Sequence, residues 1–135
     1  MAPKIIMNLA LIVGFGFAAP SLAQDVDVGE TLYQDHCSDC HGSAADGKGP
    51  LANAMIMKPN DLTRLTADND GVFPMLRVVK RVDGREPLVS HGSPMPVYGQ
   101  YFEGKGAALK TAAGQPIITS SAIADLVAFL QGVQQ

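Results

Sequence analysis

Cys37-Ser38-Asp39-Cys40-His41 holds the only two cysteines of a 135-residue chain. Two cysteines separated by two residues, with a histidine directly after the second, form a pattern for covalent haem attachment. One turn of backbone brings both sulfurs within reach of the two vinyl groups of a single porphyrin. His41 then lies under the ring and can offer an imidazole nitrogen to the iron from the proximal side. Other chemistries that share the cysteine pair fit less well. A structural zinc site takes four ligands, usually from two paired clusters, and here one pair stands with His36, His41 and His91. A redox dithiol belongs in a strand–helix–strand setting, which the flanking residues do not offer. A disulfide across so short a loop would stabilise little.

Upstream of the motif, the first 23 residues read as a leader. Lys4 gives a thin positive start, residues 5–19 are apolar apart from Asn8, and Ser21-Leu22-Ala23 places small residues where a signal peptidase reads them. The apolar run is short for a membrane span. Cleavage after Ala23 is the expectation, with an uncleaved N-terminal anchor as its alternative. Residues 24–135 then form one domain of 112 residues with one core. They carry nine Lys and Arg against thirteen Asp and Glu, a formal charge of −4. An acidic chain of this kind argues against nucleic acid or an anionic membrane surface as the main partner.

The remaining elements follow from caps and periodicity. Asp27 and Glu30 suggest a capped helix start, and the helix runs from about Val28 to the motif with Val28, Leu32 and Tyr33 inward. Gly29 inside it marks either a fraying end or a close approach by another helix. Residues 42–50 form a loop by composition. A metal-bound histidine needs an acceptor for its second ring nitrogen, and the Pro50 carbonyl is a candidate for His41. The plainer role for Pro50 is to stiffen the loop. Residues 51–57 form a short helix or turn, Asn60-Asp61-Leu62-Thr63 a cap, and Asn69-Asp70-Gly71 a turn. Residues 72–82 read as a helix with Leu76 and Val79 inward, joined by Phe73 and Val82, stopped by Gly84. Its Arg77, Lys80 and Arg81 share one face, which suits a solvated surface, a docking patch or a bridge to a haem propionate.

Gly92-Ser93-Pro94-Met95-Pro96-Val97-Tyr98-Gly99 is the second informative stretch. Prolines on both sides hold Met95 in extended backbone, and a rigid loop can present the soft thioether at a fixed distance from iron. Met55, Met57 and Met75 compete with it. Met75 falls in an amphipathic helix where methionine is usually core filler, and Met55 and Met57 follow His41 too closely to reach the opposite face of a haem. His91 is the alternative sixth ligand. Residues 100–116, with Gly104, Gly106 and Gly114, read as a loop. Ser120-Ser121 caps a last helix in which Ile123, Leu126, Val127 and Leu130 line up, widened by Phe129 and Val133. No alternation of period two stands out, so the chain reads as all-α.

Together these residues resemble a class I monohaem cytochrome c, of the small bacterial periplasmic branch, over essentially the whole of residues 24–135. Gly29, Tyr33 and Cys37, each four apart, resemble the family's N-terminal helix. Asp125-Leu126-Val127-Ala128-Phe129-Leu130 resembles its C-terminal helix, with Leu126 and Phe129 as contact residues. The resemblance implies crossing N- and C-terminal helices, with shorter helices and loops wrapping one haem c. It implies thioethers at Cys37 and Cys40, axial ligation by His41 and Met95, and a Pro50 carbonyl receiving the His41 proton. It further implies haem attachment outside the cytoplasm and periplasmic electron transfer between redox protein donors and acceptors, with no membrane span in the mature chain. The alternatives are a gas-binding or peroxidase-like haem protein, or a haem subunit of a larger dehydrogenase or reductase. Residues 100–116 are longer than the shortest members need, and the lysine ring of mitochondrial relatives is not evident, so partner specificity does not carry over.

Overall fold

Helix α1, Val26–His36, starts two residues earlier than the caps suggested. Asp25, not Asp27, is the N-cap: its carboxylate accepts from the amides of Asp27 and Val28, both at 3.1 Å. The computed structural model describes residues 24–86 and 95–135; the leader (1–23) and His91 lie outside them. Helix α2, Ser38–His41, follows α1 directly, and helix α3 is Met75–Asp83. A hairpin of strands β1, Gly106–Lys110, and β2, Pro116–Ser120, leads into helix α4, Ser121–Gly132. Single 3-10 turns at Ala52–Ala54, Leu62–Arg64 and Ala67–Asn69 carry the chain between α2 and α3.

The N- and C-terminal helices cross, and Gly29 is where they meet. A Cβ built on Gly29 would strike the Asp125 carbonyl oxygen and lie 2.6 Å from the Asp125 carbonyl carbon. The glycine is therefore a close-approach residue, and the fraying alternative falls. Around the crossing, Tyr33 packs on Phe129 with ring centroids 5.0 Å apart, and Leu126, Val127 and Val79 are fully buried. Burial of this apolar set, at about 25 cal/mol per Å², is the main favourable term holding the helices together. Ser120 caps α4 by accepting from Ile123 N, as the sequence indicates. Gly84 stops α3 in the left-handed region, at φ 83°.

Three expectations are corrected. Val28 and Leu76 point outward, with about 43% and 44% of their surface exposed. On α1 the Gly29–Tyr33 stripe faces α4, which turns Val28 to solvent. On α3 it is Val78, Val79 and Val82 that reach the core. Third, residues 100–116 are not all loop. β1 and β2 pair antiparallel from Gly106 opposite Ser120 to Lys110 opposite Pro116, closed by a turn at residues 111–115. Leu109 and Ile117 face inward and Lys110 and Ile118 outward. The adjacent Ile117-Ile118 and the small Gly106-Ala107-Ala108 hide this period-two pattern from a reading of the sequence. The chain remains mostly helical.

Candidate functional site

The two cysteines and the histidine sit on a single turn. Cys37 closes α1 by donating its amide to Tyr33 O at 2.8 Å. Its own carbonyl accepts from Cys40 N at 3.2 Å and from His41 N at 2.9 Å. Both cysteines are free thiols, and burial, with Cys40 as a lesser cause, pushes the Cys37 thiol up to about 11. His41 is also partly buried. Burial pulls its pKa below the ordinary histidine value, against the smaller opposing effect of the Asn60 carbonyl, which favours the neutral ring, the form that ligates metals.

His41 Nδ1 lies 2.9 Å from the Asn60 carbonyl. The acceptor is therefore Asn60, not Pro50. Pro50 is exposed, in a loop whose neighbouring amides bond to the carbonyls of α2: Gly49 N donates to Cys40 O and Leu51 N to Asp39 O. Asn60, nineteen residues beyond His41, is brought over the ring by the path of residues 58–63. With Nδ1 engaged, Nε2 is left for a metal.

Cys37, Cys40 and His41 line one cavity of about 410 Å³, and Met95 lines it as well. Met95 is partly buried and packs against the core cluster. Its loop is anchored by Tyr98, a residue whose role no local sequence signal announces. The Tyr98 amide donates to Val82 O at 2.8 Å and its hydroxyl to His36 O at 2.7 Å, tying the Met95 segment to both α3 and α1. The Tyr98 ring stacks on Phe102 with centroids 5.5 Å apart. The competing Met55 and Met57 also border the cavity, with Met57 about 63% exposed, whereas Met75 packs against the core. Arg77 and Arg81 form part of the cavity wall, and Arg81 pairs with Glu86 at 3.3 Å.

A family model for cytochrome c matches residues 26–134. The chain belongs to the cytochrome c family. No curated protein and no solved structure matches it. The family carries covalently attached haem c and uses it for electron transfer. The residues fit that group: two unpaired thiols on one helical turn, an imidazole with only its outer nitrogen free, and a mostly apolar cavity of suitable size. In this cytochrome c, Cys37 and Cys40 would hold the porphyrin and His41 the iron, which supplies a one-electron Fe(III)/Fe(II) couple when bound. Among the described residues no helix is long and apolar enough to cross a membrane.

Proposed function

We propose that this cytochrome c is an exported, periplasmic one-electron carrier in which His41 and Met95 occupy the two axial positions. The observation that carries the reading is that one cavity gathers Cys37, Cys40, His41 and Met95 from segments 54 residues apart. Held by both His41 and Met95, the haem iron would offer no open position to oxygen or a substrate, as suits a carrier and not a catalyst. The Met95 thioether and the apolar wall favour the less charged reduced state and raise the potential. Residues 1–23 act as a cleaved export leader, and the donor and acceptor are redox proteins that make small, transient contacts.

Carbon monoxide added to the reduced holoprotein tests the axial assignment. Slow or absent change in the Soret band is expected, and rapid binding would favour the gas-binding or peroxidase-like alternative. In Met95→Ala the haem should stay attached while the potential falls and carbon monoxide binds quickly. An unchanged potential and spectrum would remove Met95 from the site.

A further inference from the structure

We infer that Asp61 is a positioning residue for the axial histidine: its carboxylate locks the peptide whose carbonyl holds His41 Nδ1, and so tunes the reduction potential. The inference rests on His41 being the axial ligand, as proposed above. The Asn60 carbonyl belongs to the peptide unit that ends at Asp61 N, so whatever fixes the backbone at Asp61 fixes the direction of that carbonyl. Asp61 Oδ1 accepts from Thr63 N at 2.9 Å and from Thr63 Oγ1 at 2.6 Å, capping the turn Leu62–Arg64. Thr63 is almost fully buried. Its carbonyl accepts from Gln135 N at 2.9 Å, and Leu62 N donates to Ala45 O at 2.7 Å. The cap is thus bonded on one side to the loop that follows His41 and on the other to the end of the chain.

The functional consequence follows from ligand basicity. A hydrogen bond from Nδ1–H to a carbonyl makes the imidazole a stronger donor to iron, which favours the oxidised state. If the Asp61 cap is lost, the peptide can rotate, the His41–Asn60 bond lengthens, and the potential rises. Deleting a carboxylate near the iron would also raise the potential by simple charge removal, so the two causes must be separated. Asp61→Asn does this, because the amide oxygen can still accept from Thr63 while the charge is gone.

The test uses the holoprotein and reads two quantities, the reduction potential by spectroelectrochemistry and the solvent exchange of the His41 Nδ1–H by proton NMR. Asp61→Ala is expected to shift the potential upward and to speed Nδ1–H exchange roughly tenfold or more, the effect of about 1.4 kcal/mol in an opening equilibrium. Asp61→Asn is expected to keep the wild-type exchange rate and to show only the charge-removal part of the upward shift, smaller than that of Asp61→Ala. Thr63→Val, which removes one of the two donors in a shape-conserving way, should move both readouts in the Asp61→Ala direction by less, and it serves if Asp61→Ala does not fold. Equal upward shifts in Asp61→Ala and Asp61→Asn would overturn the inference in favour of bare charge, as would an unchanged exchange rate in Asp61→Ala. Failure of the ligand assignment looks different: His41→Ala holoprotein would then keep the wild-type low-spin spectrum.

Discussion

Gly29→Ala adds a single methyl group at the point where α1 and α4 cross. The new Cβ would collide with the Asp125 carbonyl oxygen, lie 2.6 Å from the Asp125 carbonyl carbon and 3.1 Å from Leu126 N. All three are backbone atoms, which cannot rotate aside as a side chain would, so the helices must separate. Overpacking of a close-packed contact costs about 1–3 kcal/mol, and a backbone clash belongs at the upper end. Alanine recovers up to about 1 kcal/mol through its higher helix propensity. The net expectation is a loss of roughly 2 kcal/mol, which for a domain of this size lowers Tm by about 8 °C. Thermal unfolding of the holoprotein, followed by far-UV circular dichroism, measures it. Gly132→Ala is the matched control, because a Cβ there meets nothing within 4 Å, and its Tm should hold or rise slightly. A Gly29→Ala protein as stable as wild type would refute the argument that backbone contact dictates glycine at this crossing.

Other outcomes follow from the same geometry. Replacing Cys37 and Cys40 by Ser should abolish haem staining of the polypeptide on a denaturing gel. Tyr33→Phe removes the buried hydroxyl that donates to Gly42 O at 2.6 Å; because Ala45 N still serves that carbonyl, the cost in a urea titration should be about 1 kcal/mol. The same variant has a signature in pH. Burial, with smaller effects of Cys37 and Asp46, holds the Tyr33 hydroxyl well above the ordinary tyrosine range. Unfolded tyrosine ionises near pH 10, so the native state keeps the proton while the unfolded state loses it. Stability is full below about pH 10 and falls as pH rises beyond it; Tyr33→Phe should flatten that decline, and an unchanged slope would exclude Tyr33 as its source. Ser120→Ala, which strips the cap of α4, should cost about 1 kcal/mol in the same titration.

How much of this was legible in advance depended on the range of each interaction. The Cys37–His41 turn is fixed by residues adjacent in sequence, and its hydrogen bonds lie within one helical turn. Met95 stands out for a similar reason, since its flanking prolines constrain backbone locally. The carbonyl acceptor of His41 did not, because Asn60 and Pro50 are both loop residues with free carbonyls, and only the path of residues 58–63 over the ring chooses between them. Val28 and Leu76 are apolar and correctly spaced for a buried stripe, yet the rotation of α1 and α3 about their axes is set by what they pack against. The hairpin is not legible in the sequence because alternation over five-residue strands is weak when one strand is mostly glycine and alanine.

The sequence by itself determined the haem attachment turn, the helical character of the ends of the chain and the pairing of glycine with an aromatic on α1, all of them matters of spacing within one or two turns. Only the tertiary structure decided which face of each helix is inward, that residues 106–120 pair as a hairpin, and that the Asn60 carbonyl attends the histidine. Spacing along the chain fixes what a segment can do by itself. Which carbonyl meets an imidazole nineteen residues away is fixed by the closure of loops around a shared core, and that depends on every contact at once.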